Sequence, residues 1–235
     1  MNIALIRKSY IFLTSICILL GITNAKSRTF VDNPVAVVRP SVFDSLKLGN
    51  FGLTRQAFEY AMKGFNYLAS TGKLNNTQVI SIVDFSLPSS RKRLFIIDLK
   101  NYKLLFNTYV AHGRNSGHEK ATQFSNQEES YKSSLGFYIT GETYNGEHGF
   151  SLKLDGKEYG INDNASSRAI VMHAAAYVDE SLIRAQGYIG RSLGCPAISE
   201  KLHRPIIEKI KNGSCLFLYS PDNYYLSHSR ILKAS

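Results

Sequence analysis

The stretch Phe150-Ser151-Leu152-Lys153-Leu154-Asp155-Gly156 alternates apolar and polar residues and then presents Asp-Gly, a tight-turn pair. A period of two puts Phe150, Leu152 and Leu154 on one face of a pleated strand and Ser151 and Lys153 on the other, so the stretch reads as a half-buried β-strand. Outward from it, similar short runs bounded by turn residues occupy 79–85, 93–99, 103–111, 135–140 and 169–173, and a final core strand occupies 216–220. Asn101-Tyr102 joins the second and third runs as a hairpin. A parallel α/β sheet needs regular alternation of strand and helix, and none occurs between 79 and 173. The fold class expected is therefore mainly β (α+β), a sandwich or partly closed barrel.

Two helices complete it. Phe58, Ala61, Met62, Phe65 and Leu68 make one apolar face at helical spacing between Thr54 and Gly72. A second helix is expected to start at Pro205, run through Ile206, Ile207 and Ile210, and stop at Gly213. Residues 26–50 contain Pro34 and Pro40 and no clear period, and read as an extended arm.

Apolar residues are 44% and charged residues 20%, which suits a folded domain and excludes a disordered chain. At the N-terminus Arg7 and Lys8 precede an uncharged apolar run from Tyr10 to Ile22, followed by Thr23-Asn24-Ala25. The run is well short of the roughly 20 residues that span a bilayer, so it reads as a secretory signal peptide cleaved after Ala25. Cys17 follows the bulky Ile16 and is not read as a lipid attachment site. The expected organisation is a signal peptide over 1–25, an extension with its amphipathic helix over 26–75, and a catalytic domain over 76–225. No later run could span a membrane, so the mature protein is expected to be exported, into the periplasm or cell envelope. The formal charge is +10, and losing Arg7 and Lys8 leaves +8. That excess suits anionic surroundings, but the bases are scattered and export argues against nucleic acid as a partner. No pattern specifies an oligomeric state.

Cys195 and Cys215 remain, too few for a disulfide scaffold in an oxidising compartment. Cys215 lies in the apolar run Ser214-Cys215-Leu216-Phe217-Leu218-Tyr219, where a buried inert thiol is expected. Cys195 lies instead in Gly190-Arg191-Ser192-Leu193-Gly194-Cys195-Pro196-Ala197, placed by backbone geometry rather than by packing. Pro196 has no N–H, so oxyanion donors for a nucleophile at Cys195 must come from Cys195, Gly194 or Leu193. A free thiol is only a few per cent thiolate at neutral pH and needs a base. His173 ends an apolar run and is followed by three alanines that leave room around an imidazole, as a base requires. His112 and His118, in a glycine-rich loop, and His148, in Glu147-His148-Gly149, read as loop structure or pocket lining. His-Glu-x-x-His and the G-x-S-x-G elbow are both missing, which argues against zinc and against a serine nucleophile. No metal or cofactor is expected.

Ser192-Leu193-Gly194-Cys195, with His173 upstream and Ser133-Ser134-Leu135-Gly136-Phe137-Tyr138-Ile139 before that, resembles the YkuD-type L,D-transpeptidase catalytic domain, most of all its murein-specific second branch. The resemblance spans about 80–221. It implies a β-sandwich with the site in a cleft, a cysteine acylated at the third residue of a tetrapeptide stem, departure of the terminal D-alanine, and resolution of the thioester by an amine of a neighbouring stem. Peptidoglycan stem peptides are then the expected partners. By position it makes Cys195 the nucleophile, His173 the base, and the backbone at Gly194 and Cys195 the oxyanion hole. Leu193 stands where the motif has a second His, Ala197 stands where an Arg often follows, and the interval from His173 to Ser192 is longer than usual. Arg191 and Arg114 are the expected carboxylate partners, with Ser192 and His112 also on the substrate side. An L,D-carboxypeptidase or endopeptidase using water, and a non-catalytic wall-binding module, are the alternatives.

Overall fold

The computed structural model describes residues 41–234, so the expected signal peptide and the beginning of the arm lie outside the described residues. The period-two runs form strands β1 (Asn76–Asp84), β2 (Leu94–Asp98), β3 (Lys103–Thr108), β4 (Gly136–Gly146), β5 (Gly149–Gly156), β6 (Val171–Ala174), β7 (Ala197–Ile198) and β8 (Ser214–Tyr219). They make one eight-stranded sheet in the order β3-β2-β1-β8-β4-β5-β6-β7. The pairs β1–β8 and β6–β7 are parallel and the others antiparallel.

β2 and β8 are buried along their whole length, which requires cover on both faces. Helix α2 (Arg55–Ser70, preceded by α1, Val42–Ser45) lies against β1 and β8, burying Phe58, Ala61, Phe65 and Leu68. Thr54 caps its first turn, its Oγ1 accepting from Ala57 N at 3.3 Å. Helix α4 (His203–Ile210, after α3, Glu180–Gln186) contacts β1, β5 and β6 and buries Ile206, Ile207 and Ile210. Strands β1 and β6 are four places apart in the sheet, so a helix that touches both shows the sheet curling around it. The edges then nearly meet. Just past β3, Ala111 N donates to Ala197 O in β7 at 2.8 Å, Ser192 N donates to His112 O at 2.9 Å, and Arg114 N donates to Ser192 O at 2.7 Å. Of the two architectures expected, the partly closed barrel is the one adopted.

Several local readings are corrected. Asp155-Gly156 is not a turn: both residues are paired within β5, opposite Ile139 and Tyr138. Glycine is needed there because a Cβ would sit 1.9 Å from Asn162 O. The reversal lies between Gly146 and Gly149, because β4 continues past Thr140 through a bulge and pairs with β5 to its end. The arm expected over 26–50 is helical from Val42, and α1 and the 3-10 turn Leu48–Phe51 bury Phe43 and Leu48. Helix α4 starts two residues before Pro205, which sits in the first turn where its missing N–H costs nothing. Three short helices carried no sequence signal. Helix α3 buries nothing, while α5 (Asn223–His228) and α6 (Arg230–Ala234) return Tyr225, Ile231 and Leu232 to the core. Tyr225 Oη donates to the buried Glu158 carboxylate at 3.1 Å and Ser229 Oγ donates to its other oxygen.

Gly64, in the middle of α2, is where the helix meets the sheet most closely. A Cβ there would lie 2.0 Å from Phe137 Cζ, and Phe137 is itself buried and stacked on Phe217 at 4.2 Å. Gly64→Ala gains about 1 kcal/mol of helix propensity. Displacing a fully packed ring costs more, and we expect a net loss of about 1–2 kcal/mol in urea unfolding.

Candidate active site

The Cys195 loop is held by its serines. Ser192 Oγ donates to Cys195 O at 2.6 Å and accepts from Gly194 N at 3.0 Å. Ser133 Oγ donates to Gly194 O at 3.0 Å while accepting from Gly113 N at the same distance. Gly194 has φ +130°, and a side chain there would meet Ile170 Cδ1 and Lys132 O at 3.0 Å. Only glycine fits.

β6 and β7 run parallel with His173 level with Ala197 and Ala174 level with Ile198. Cys195, two residues before Ala197, is therefore level with Val171, whose N–H points to its sulfur at 3.5 Å. His173 is two residues further along β6 and on the same face as Val171, a rise of roughly 7 Å. Parallel register thus sets Cys195 alongside the strand that carries His173, although the two are 22 residues apart in sequence.

His173 is only 3% exposed, and its Nδ1–H donates to Ala174 O at 2.8 Å. That bond leaves Nε2 as the unprotonated nitrogen. Burial lowers the ring's pKa, the Ala174 bond raises it in part, and His148 lowers it further. Crowding around the half-buried Cys195 raises its thiol pKa, with the Val171 amide and the Arg168 guanidinium opposing. Both shifts run the same way: burial disfavours the charged imidazole of His173 and the charged thiolate of Cys195 alike. Cys215 is fully buried in β8 with its pKa pushed well up by burial, and both cysteines are free.

The remaining expected site residues divide. The Gly194 amide, expected as an oxyanion donor, is taken by Ser192 Oγ. The Cys195 amide lies beside its own sulfur, and Leu193 is exposed at the rim. Ser192 is buried and shapes the loop. Arg114 lies over the Tyr131 ring at 4.2 Å, and Arg191 Nη1 donates to Arg114 O and Gly117 O, both at 3.2 Å. Both guanidiniums are engaged with neighbouring loop residues. His112 is a correction: it is fully buried and offers nothing to a substrate. Arg93 Nη2 lies 2.7 Å from its Nδ1. Arginine only donates, so Nδ1 must accept, and the proton sits on Nε2, which faces Gly117 O at 3.3 Å.

Two residues that sequence reasoning did not place here belong to the site. Arg168 supplies the nearby positive charge, its Nη1 donating to Ser125 O and Ser134 Oγ and its Nη2 to Lys132 O at 2.6 Å. Its only sequence signal was its place just before the strand that carries His173. Ala169 has φ +50°, rare for a residue with a side chain, and this turns its carbonyl toward Cys195 Sγ at 3.7 Å. Two cavities meet at Ala169. One, of about 310 Å³, is lined by Glu128, Glu129, Tyr131, Arg168 and Leu193. The other, of about 210 Å³, is lined by Tyr144, Lys153, Ser166, Ile170 and Val171. Among the described residues no group of three His, Cys, Asp or Glu side chains is placed to hold a metal ion, and no helix is long and apolar enough to cross a membrane.

The family model YkuD_2, described as an L,D-transpeptidase catalytic domain, matches residues 50–219. No curated protein matches the chain. Among solved structures, an L,D-transpeptidase from Mycobacterium smegmatis is similar at 10% identity, covering 61% of this chain and 59% of that one with a TM-score of 0.37. An L,D-transpeptidase from Stackebrandtia nassauensis is similar at 12% identity, with coverage of 70% and 66% and a TM-score of 0.38. The helical cell shape determining protein Pgp2 from Campylobacter jejuni is similar at 14% identity, with coverage of 62% and 48% and a TM-score of 0.39. The chain thus spans about 59% of the length of the Mycobacterium smegmatis structure.

Proposed function

The chain belongs to the L,D-transpeptidase catalytic domain family, and from that premise we propose that it acts on peptidoglycan tetrapeptide stems through a thioester on Cys195. The observation that carries this reading is the parallel register that sets Cys195 beside the strand bearing His173.

In the proposed reaction His173 Nε2 takes the Sγ proton as sulfur attacks the carbonyl of the third stem residue. The negative charge that develops on that oxygen is met by backbone N–H on the N-terminal side of Pro196, with the Cys195 amide best placed and Leu193 next. The tetrahedral adduct collapses, the C–N bond to D-alanine breaks, and the imidazolium returns its proton to the departing amine. An amine of a second stem, deprotonated by the same imidazole, then attacks the thioester and regenerates the thiol. Arg168 favours the thiolate during the first step. The charge on the protein suits an anionic wall, and the expected leader suits export to the periplasm or envelope.

The test is to incubate the mature protein with tetrapeptide muropeptides. A 3-3 cross-link with released D-alanine is the expected result. D-Alanine without a cross-link assigns the hydrolytic alternative, and neither product from a folded protein removes the reading. The low pKa of His173 also fixes the sign of the pH dependence: the acid limb of kcat/KM should fall below pH 6.5, the ordinary histidine value, because burial keeps the base unprotonated.

A further inference from the structure

His148 is exposed at the tip of the β4–β5 hairpin, and the core makes no use of it. Its ring nevertheless lies flat on that of His173, with centroids 4.2 Å apart and planes inclined by 20°. The hairpin is built to bring it there. β4 and β5 pair from Thr143–Leu152 out to Gly146–Gly149, leaving Glu147-His148 as the tip, and Gly149 at φ +71° allows the reversal. At the base of the hairpin Leu152 pairs with Met172, the residue before His173, so the ribbon springs from the same strand pair that carries the base. Phe150 holds the ribbon down against α4, with the Arg204 guanidinium over its ring at 4.3 Å and the His203 ring edge-on at 6.5 Å.

Among the described residues the His173 imidazole has one hydrogen bond, from Nδ1 to Ala174 O, and a single bond leaves the tilt of the ring plane to be set by what packs on it. We infer that His148 is a positioning residue: stacked on His173 from the hairpin tip, it holds the imidazole in the plane that aims Nε2 at Cys195. This rests on the reading of His173 as the base. The stack also places a second ring against the first that lowers the His173 pKa. Other charged groups lie elsewhere around the pair. Arg168 and Tyr177 act on the Cys195 sulfur rather than on the imidazole, and His203 and Arg204 face Phe150 from α4.

The experiment measures iodoacetamide alkylation of Cys195 in the full chain from pH 5 to 9 for the wild type and for H148A, H148F and H173A. Because His148 is exposed, its variants should fold, and circular dichroism checks this. H148A should slow alkylation at pH 7 about tenfold, a part of what a general base contributes. H148F keeps a flat ring on His173 and should recover the rate to within about twofold. In both variants the acid limb should move to higher pH, because the ring that lowers the His173 pKa is gone. A merely structural role would leave that limb in place. Wild-type rate and acid limb in H148A, or H148F as slow as H148A, overturns the inference. Wild-type alkylation in H173A overturns it together with the base. The expected pattern in a protein that turns over no muropeptide leaves His148 in its role and removes only the substrate.

Discussion

Cys195→Ala should leave a folded protein that yields neither D-alanine nor cross-link, at least about 10⁴-fold below the wild type, as expected if Cys195 is the proposed nucleophile. Folding survives because the Cys195 sulfur contributes little to it. The sulfur is half-buried and its two polar contacts, to Val171 N at 3.5 Å and Ala169 O at 3.7 Å, are weak. The loop is held instead by Ser192 and Ser133, which the substitution does not touch. We expect a change of under about 1 kcal/mol in urea unfolding. Cys215→Ser gives the opposite pair of results. Its hydroxyl enters a fully buried position among Leu216, Phe217 and their neighbours in β8, at a cost of about 1–3 kcal/mol, while the folded fraction keeps its turnover. If Cys195→Ala retains D-alanine release, the nucleophile lies elsewhere.

Arg93→Met should lower stability at pH 7 by about 3–5 kcal/mol without direct effect on the thiol. Arg93 is wholly buried, and its guanidinium donates to Val110 O from Nε and Nη2, to Leu87 O, and to His112 Nδ1. Burial lowers its pKa to about 9, and Asp84 offsets part of that. Methionine fills the space and orphans two carbonyls and a ring nitrogen. The same cluster makes the protein acid-labile. Burial first, and the Arg93 charge second, hold the His112 pKa down to about 3. An unfolded chain takes up that proton near pH 6.5 and the folded chain refuses it until about pH 3, so stability rises with pH across this window. At full extent the loss on acidification reaches about 5 kcal/mol. Urea midpoints measured from pH 7 to pH 3 check it, and His112→Gln, which does not titrate, should flatten the slope.

What could be read from the sequence was what is local. A thiol between Gly194 and Pro196 stands out as a candidate, as does an imidazole at the end of an apolar run, and the apolar face of α2 needed only its spacing. Asp155-Gly156 misled because Asp-Gly is a turn signal, whereas this glycine answers to the carbonyl of Asn162 pressed against it. Arg168 was passed over for Arg114 and Arg191, which lie nearer to Cys195 or to a glycine-rich loop in the chain, because the charge at the sulfur is set by a fold-back across Ser125, Lys132 and Ser134. His112 looked like a substrate residue from its loop and proved to be interior, since the loop is cemented from beneath by an arginine on β2's flank. Helix α3 buries nothing and so left no apolar rhythm to find.

The strand order has a consequence for truncation of the chain. β8, the last strand made, is central: it pairs with β1 on one side and β4 on the other. Without β8 the ribbons β3-β2-β1 and β4-β5-β6-β7 lose the strand that pairs with both, and keep the far edge, where Ala111 N donates to Ala197 O and Ser192 N to His112 O. A chain cut before residue 214 would therefore keep Cys195 and His173 but lack the strand that joins the two halves of the sheet around them.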